Sequence, residues 1–279
     1  MVTPAPRIPL NDGSSIPQIG LGTWPLDDDA VAATIVEATQ LGYRHIDTAV
    51  KYGNERGVGV GIASSGIARD ELFVTTKLDG QFQGHDRAIA GLEASLERLN
   101  LDYVDLLLIH WPLPARDEYV STFRTFEKLR AEGKARSIGV SNFKPAHLER
   151  LIDQTGIIPA VNQIELNPFV VRDEQRAADE HYGIVTESWS PLGPKTGLLT
   201  DPVILQIAGE HDRTPGQVVL RWHVQQGLVA IPKSQSPDRL AENLSVFDFE
   251  LTSADLALIA QLSHQPLPKR ANTPHTLHA

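Results

Sequence analysis

Asp47, Tyr52, Lys77 and His110 are the residues whose types and spacing could do chemistry. Asp47 follows the apolar run RHI, Lys77 follows LFVTT, His110 follows DLLLI, and Tyr52 stands in HIDTAVKYGNE just beyond Asp47. An acid, a phenol, an ammonium and an imidazole suit delivery of a proton to an oxygen that is gaining negative charge. A free tyrosine, with a pKa of ~10, exchanges protons poorly near neutrality. A neighbouring lysine ammonium favours the phenolate and is expected to lower that value. Asp47 would keep Lys77 charged and oriented, while His110 donates to or positions the substrate oxygen. Such a set is an electrophilic site for a carbonyl, without a nucleophile. Taken singly, each residue has a plainer reading. Asp47 is then a turn former or cap, Lys77 a rim charge, Tyr52 a packing residue and His110 a hydrogen-bonded core histidine.

What would bring them together is a repeating pattern of a short apolar run, a polar loop and an amphipathic helix. Apolar runs end near Leu21, Ile46, Thr76, Ile109, Val140, Gln163, Glu187 and Ile231. Helical patterns lie between them at Asp28 to Thr39, Ala88 to Leu99, Tyr119 to Ala131, Pro145 to Gln154, Arg172 to His181, Pro202 to His211 and Pro215 to Gln226. Runs such as VDLLLI are what a parallel sheet covered on its faces requires. Repeats of about thirty residues favour a closed (β/α)₈ TIM barrel over an open sheet. In such a barrel the chemistry sits at the C-terminal ends of the strands, so the loops carrying these residues converge on one mouth.

RIPLNDGSSIPQIG, with its Asp12-Gly13 pair, predicts an N-terminal β-hairpin over about 7–19 that closes the bottom of the barrel. An open sheet would need a Gly-rich dinucleotide loop after a strand. GVGVGIASSG, Gly57 to Gly66, has the wrong spacing and reads as close helix packing. The chain is expected to be one domain over residues 1–279, with a tail over about 264–279 that shows no helical pattern.

Composition narrows the partners. With 279 residues, 41% apolar and 22% charged, the chain is that of an ordinary globular protein able to bury a sizeable core. A formal net charge of -10 argues against nucleic acid and anionic membrane surfaces and for a small-molecule partner. The absence of cysteine removes disulfides, thiolate catalysis and Cys-containing zinc sites. His275 and His278 are too isolated to argue for a metal, and none is expected. Without a signal segment or an apolar span, a cytoplasmic location is expected, and the acceptor pattern at Asn243 and Ser245 is then idle.

At this point the chain resembles the aldo-keto reductase family. GTW (Gly22 to Trp24), GYRHIDTA and YGNE (Gly42 to Glu55), TTKL (Thr75 to Leu78), LDYVDLLLIHWP (Leu101 to Pro112), SIGVSNF (Ser137 to Phe143), VNQIELNP (Val161 to Pro168), SPLG (Ser190 to Gly193) and IPKS to EN (Ile231 to Asn243) look like family segments in order. The short loop after Gly193 looks most similar to bacterial members of the 2,5-diketo-gluconate reductase type. The resemblance implies NADPH-dependent, reversible reduction of aldehydes and ketones, with Asp47, Tyr52, Lys77 and His110 as the catalytic tetrad and Tyr52 as general acid. It implies that Ser141, Asn142 and Gln163 hold the nicotinamide carboxamide and that Trp189 stacks on the ring. Gly22, Thr23, Asp47, Ser190 and Leu192 would also meet the cofactor. Lys233, Ser234 and Arg239 would contact the adenosine 2′-phosphate, with Glu242 and Asn243 near the adenine. Trp24, Tyr52, His110 and Trp111 would face the substrate, a small carbonyl compound, in a monomeric enzyme.

Some features stay open. Arg239 to Asn243 also reads as an exposed helix face. Lys51 either adds positive field at the mouth or lies in solvent, and Asp79-Gly80 stands where relatives often carry an aromatic residue, so one wall is expected to be polar or open. Two rivals remain: a barrel hydrolase using the acids Asp47 and Glu187, and a non-catalytic NADPH-binding regulator.

Overall fold

The computed structural model describes residues 4–264, so His275, His278 and nearly all of the expected tail lie outside the described residues. At the start, β1 (Arg7–Pro9) and β2 (Ser15–Pro17) pair antiparallel with Ile8 opposite Ile16. The turn between them works as its residues suggest. Gly13 takes a left-handed φ of 87°, and Asp12 Oδ1 accepts the Ser14 amide at 3.0 Å.

Eight parallel strands follow: β3 (Leu21–Gly22), β4 (His45–Asp47), β5 (Phe73–Leu78), β6 (Val104–Ile109), β7 (Ala135–Ser141), β8 (Val161–Glu165), β9 (Val185–Trp189) and β10 (Val229–Ala230), each paired with the next. The two edges meet through a parallel bridge between Ile19 and Ala230. There the Gly20 amide donates to the Ala230 carbonyl at 2.9 Å and the Ala230 amide to the Gln18 carbonyl at 3.0 Å, closing the barrel.

The outer layer is α1 (Asp28–Gln40), α2 (Glu55–Ser64), α3 (His85–Leu99), α4 (Tyr119–Ala131), α5 (Pro145–Thr155), α6 (Asp173–Tyr182), α7 (Pro202–Glu210), α8 (Pro215–Gln225), α9 (Pro237–Leu244) and α10 (Ser253–Ala260). Local chemistry explains several starts. Asp27 and Asp201 accept the first free amides of α1 and α7, and Thr214 with Gln217 forms a capping box on α8. In α3, Leu92, Leu96 and Leu99 recur at helical spacing and are buried against the barrel. α10, capped by Thr252 and Asp255, has no counterpart among the expected helices.

The glycines of α2 do pack closely. A Cβ on Gly57 would lie 2.3 Å from the Asp28 carbonyl oxygen, and one on Gly59 would lie 2.3 Å from that of Leu99. Bare backbone lets α2 lie against the start of α1 and the end of α3.

Inside the barrel the layers differ in polarity. Phe73, Leu106, Leu108, Val161 and Val229 form an apolar lower layer with Leu10 and Ile16, so the hairpin plugs that end. Above it come His45, Asp47, Thr75, Lys77, Gln163 and Glu187, all almost completely buried. Burying so many polar groups is unfavourable unless each finds partners, and the partners they find define the site.

Candidate active site

Lys77 organises the upper layer. It lies within β5, which continues to Leu78, and its side chain is fully enclosed rather than held at a rim. Its Nζ donates to Asp47 Oδ1 at 2.6 Å, to the Thr48 carbonyl at 3.0 Å and to Tyr52 Oη at 3.3 Å. An ammonium has three protons, and here all three are used. The Tyr52 oxygen therefore accepts from Lys77, leaving its own proton free to point elsewhere. Asp47 is held through its backbone, whose carbonyl accepts both the amide of Thr23, at 3.1 Å, and its hydroxyl, at 2.9 Å.

The Tyr52 pKa departs from the expectation. Burial pushes the phenol above its ordinary value; Lys77 pulls it down as reasoned, but by less than burial raises it. Lys77 therefore moderates the acidity of Tyr52 without making it a low-pKa phenol in the ligand-free protein. His110 has its ring centroid 5.9 Å from that of Tyr52, edge to face. Burial, with the charges of Lys77 and Lys51 acting in the same sense, depresses its pKa to about 3. It is a neutral imidazole that can offer an N–H but no charge. Trp24, 57% exposed, also packs against Tyr52, its ring centroid 5.4 Å away.

Behind this group lies a second set. Gln163 Nε2 donates to Asp47 Oδ2 at 2.8 Å and to Glu187 Oε2 at 2.7 Å. Glu187 Oε1 faces His45 Nε2 at 3.6 Å, and His45 Nε2 lies 3.2 Å from Thr75 Oγ1. Both Glu187 and His45 are fully buried. Glu187 carried the same signal as Asp47, an acid at the end of an apolar run, but the sequence suggested it only as a hydrolytic acid. That reading lacks support here, because Asp47 is paired with Lys77 and Glu187 is sealed beneath Gln163. Among the described residues no cluster of His, Asp and Glu is arranged to hold a metal.

The residues expected to meet the nicotinamide cluster at the ends of β7, β8 and β9. Ser141 Oγ donates to the Gln163 carbonyl at 2.9 Å, and Asn142, at φ 64°, donates from Nδ2 to Ser141 Oγ and to the His110 carbonyl. Trp189 Nε1 donates to Asn142 Oδ1 at 3.0 Å, which fixes a half-buried indole against Asn142. Ser190, at φ 52°, and Leu192 lead away from it. Gly22 approaches the Ile231 carbonyl so closely that a Cβ would meet it at 2.9 Å. Lys233 lies just before α9 and Arg239 in its first turn, both exposed and without a carboxylate partner among the described residues, though Lys233 Nζ donates to Gln235 Oε1 at 3.5 Å. Two cations without a carboxylate partner, on a chain of net charge -10, fit a phosphate. Ser234 Oγ accepts the Ser236 amide at 3.1 Å, and Glu242 is half-buried. Asn243 is buried against the Tyr43 hydroxyl, which also donates to the Leu240 carbonyl, so its first role is to seat α9.

Two motif residues have structural work instead. Asn54 Nδ2 donates to the carbonyls of Thr23 and Leu26, and Glu55 pairs with Arg98 and accepts from Thr76 Oγ1. The wall at Asp79-Gly80 is not open. Gly80 leaves room for Leu113, whose Cδ1 would meet a Cβ there at 2.3 Å, so a leucine covers the place. Trp111 is half-buried, its carbonyl accepting from Gln83 Nε2 at 2.7 Å.

This geometry has close counterparts. The model of the aldo/keto reductase family matches residues 18–264. The chain belongs to that family. An aldo-keto reductase of Mycolicibacterium smegmatis is 52% identical over 258 residues, covering 92% of this chain and 94% of that one. The methylglyoxal reductase DkgA of Escherichia coli is 47% identical over 257 residues, 91% of this chain and 92% of DkgA. Among solved structures, a mutant of Gox0644 in complex with NADPH superposes with a TM-score of 0.89 at 47% identity, covering 92% of this chain and 93% of that one. As an aldo/keto reductase the chain has the barrel expected of it, with the polar upper layer at the C-terminal ends of the strands.

Proposed function

We propose that this aldo/keto reductase uses NADPH to reduce aldehydes, ketones, α-dicarbonyls or keto sugars to alcohols, with Tyr52 as the proton donor. The observation that carries the reading is the enclosed chain from Asp47 through Lys77 to Tyr52. It leaves one phenolic proton free at a mouth walled by Trp24 and His110. NADPH, when bound, supplies the hydride. His110 and Tyr52 hold the carbonyl oxygen between an imidazole N–H and the phenol, polarising it as negative charge develops. Tyr52 then gives its proton to that oxygen, and Lys77, held by Asp47, stabilises the phenolate left behind.

The residues suited to the cofactor are Ser141, Asn142 and Gln163 for the carboxamide, Trp189 for the ring face, and Lys233, Ser234 and Arg239 for the 2′-phosphate. Gly22, Thr23, Asp47, Ser190 and Leu192 would add further cofactor contacts, with Glu242 and Asn243 near the adenine. The similarity to DkgA supports small α-dicarbonyls as the first substrates to assay. We read the enzyme as an oxidoreductase acting on CH–OH groups, a single barrel domain, monomeric and cytoplasmic. Among the described residues no helix is long and apolar enough to cross a membrane.

Tyr52→Phe tests the reading. It keeps the ring in contact with Trp24 and His110 and removes only the hydroxyl. Turnover of a reducible aldehyde is expected to fall by about 10²–10⁴-fold with NADPH binding retained. Near wild-type turnover would show that another group donates the proton, and tight NADPH binding without turnover on any carbonyl by the wild type would favour the regulator.

A further inference from the structure

Glu187 is the one buried acid of the upper layer that the reaction above does not use. Its Oε2 accepts from the same Gln163 amide nitrogen that donates to Asp47, while its Oε1 has no hydrogen-bond partner among the described residues. An amide nitrogen flanked by two carboxyl groups must direct its oxygen away from both, so Glu187 and Asp47 together settle which way Gln163 faces. We propose that Glu187 is a positioning residue for carbonyl reduction: carrying its proton, it holds Gln163 and adds no charge to the Asp47, Lys77 and Tyr52 chain, and ionised it opposes the reaction. This rests on the function proposed above.

The surroundings define the proton-bearing form. Glu187 on β9 is faced by His45 and Asp47 from β4, Lys77 from β5 and Gln163 from β8, while its β10 neighbour is the apolar Val229. The only cation in this set is Lys77, and it is committed to Asp47 at 2.6 Å. His45 cannot supply a second, because burial, aided by the charges of Lys77 and Arg7, depresses its pKa to about 3. Burial first, and then Asp47, push the Glu187 carboxyl up to about 8. Ionised, it would place a second negative charge on the Gln163 amide and raise the Tyr52 phenol further, making the proton donor weaker. Protonated, it leaves Asp47 and Lys77 as a neutral pair and holds Gln163 without opposing Tyr52.

The test is a pH profile of carbonyl reduction at saturating NADPH, for wild type and Glu187→Gln. In the wild type, kcat should fall on the alkaline side as pH rises through about 8. Glu187→Gln mimics the protonated carboxyl, so it should keep kcat within about threefold of wild type at pH 7 and shift or lose the alkaline limb. A purely structural glutamate would change the level of activity and leave the limb in place. If the glutamine variant does not fold, Glu187→Asp, which keeps the carboxyl but withdraws it from Gln163, must move the limb instead. A ligand-free infrared titration should also show, in wild type, protonated-carboxyl C=O intensity lost near pH 7 from Asp179 and near pH 8 from Glu187, with only the second missing from Glu187→Gln. Superimposable pH profiles in a working enzyme overturn the proposal alone. A wild type that oxidises NADPH with no carbonyl compound defeats the functional reading and the proposal with it.

Discussion

Lys77 donates to Tyr52 across 3.3 Å while its shortest contact, 2.6 Å, goes to Asp47, so one enclosed ammonium ties the acid of β4 to the phenol beyond it. Removing either end of a buried pair leaves an uncompensated charge. Lys77→Met and Asp47→Asn should each destabilise the fold by about 3–5 kcal/mol. The double variant should recover most of that stability, because an apolar and a neutral group no longer leave a charge unpaired. It should not recover turnover, since nothing then stabilises the phenolate. Urea denaturation with activity assays checks both halves; a double variant as unstable as the sum of the singles would contradict the pairing.

Much of this was legible in the sequence, for physical reasons. Asp47, Tyr52 and His110 lie just beyond or at the ends of short apolar runs, where barrel topology alone makes loops converge. The hairpin followed from Asp12-Gly13 because left-handed φ at Gly13 costs glycine little. Less legible were effects that depend on three-dimensional enclosure. Lys77 read as the residue after a strand and proved to be inside one, and the Tyr52 pKa depends on a burial that spacing does not reveal. Glu187 and His45 matter through Gln163 and Thr75, on strands far away in sequence. Asp79-Gly80 was expected to leave a wall polar or open, and spacing does not show the Leu113 that packs beside Gly80 from another loop.

Lys233 and Arg239 are exposed cations with no carboxylate partner among the described residues, placed beside the first turn of α9. If they meet a 2′-phosphate, Arg239→Ala should lose a charge-assisted contact of about 1.5–3 kcal/mol, roughly 10- to 100-fold in NADPH affinity. NADH affinity should stay within about twofold, because NADH lacks that phosphate. Fluorescence titrations with both cofactors over a salt series decide it: equal losses for NADH and NADPH would mean that Arg239 supports the helix rather than the phosphate.

The α2 glycines give a steric prediction free of the site. Gly59→Ala would drive a methyl to within 2.3 Å of the Leu99 carbonyl, a backbone atom that cannot swing aside. Overpacking of this kind costs about 1–3 kcal/mol. Gly209, in α7, has nothing within 4 Å of the place a methyl would take and no positive φ, so Gly209→Ala should stabilise by about 0.5–1 kcal/mol. Opposite signs in thermal melts are expected; equal shifts would show that helix propensity rather than contact governs both.

Stability should pass through a maximum near pH 6.5. His45 and His110 are depressed to about 3 and His223 to about 4, each chiefly by burial. Below the ordinary histidine value of ~6.5 the unfolded chain binds protons that these native rings refuse, so stability falls as the pH drops. Burial raises Glu187 to about 8 and Asp179 to about 7, which acts in the opposite sense. From the ordinary carboxylate range upward the native state keeps protons that the unfolded chain has released, so stability falls as the pH rises toward those values. Between roughly pH 4.5 and 6.5 three histidines outweigh two carboxyls and stability increases with pH; above ~6.5 only the carboxyls still change, and it declines until they ionise. Urea denaturation at pH 5, 6.5 and 8 reads the curve. Glu187→Gln, which has no proton to lose, should flatten its alkaline side, and a stability that climbs steadily to pH 8 would mean that these carboxyls are ionised in the native protein at neutrality.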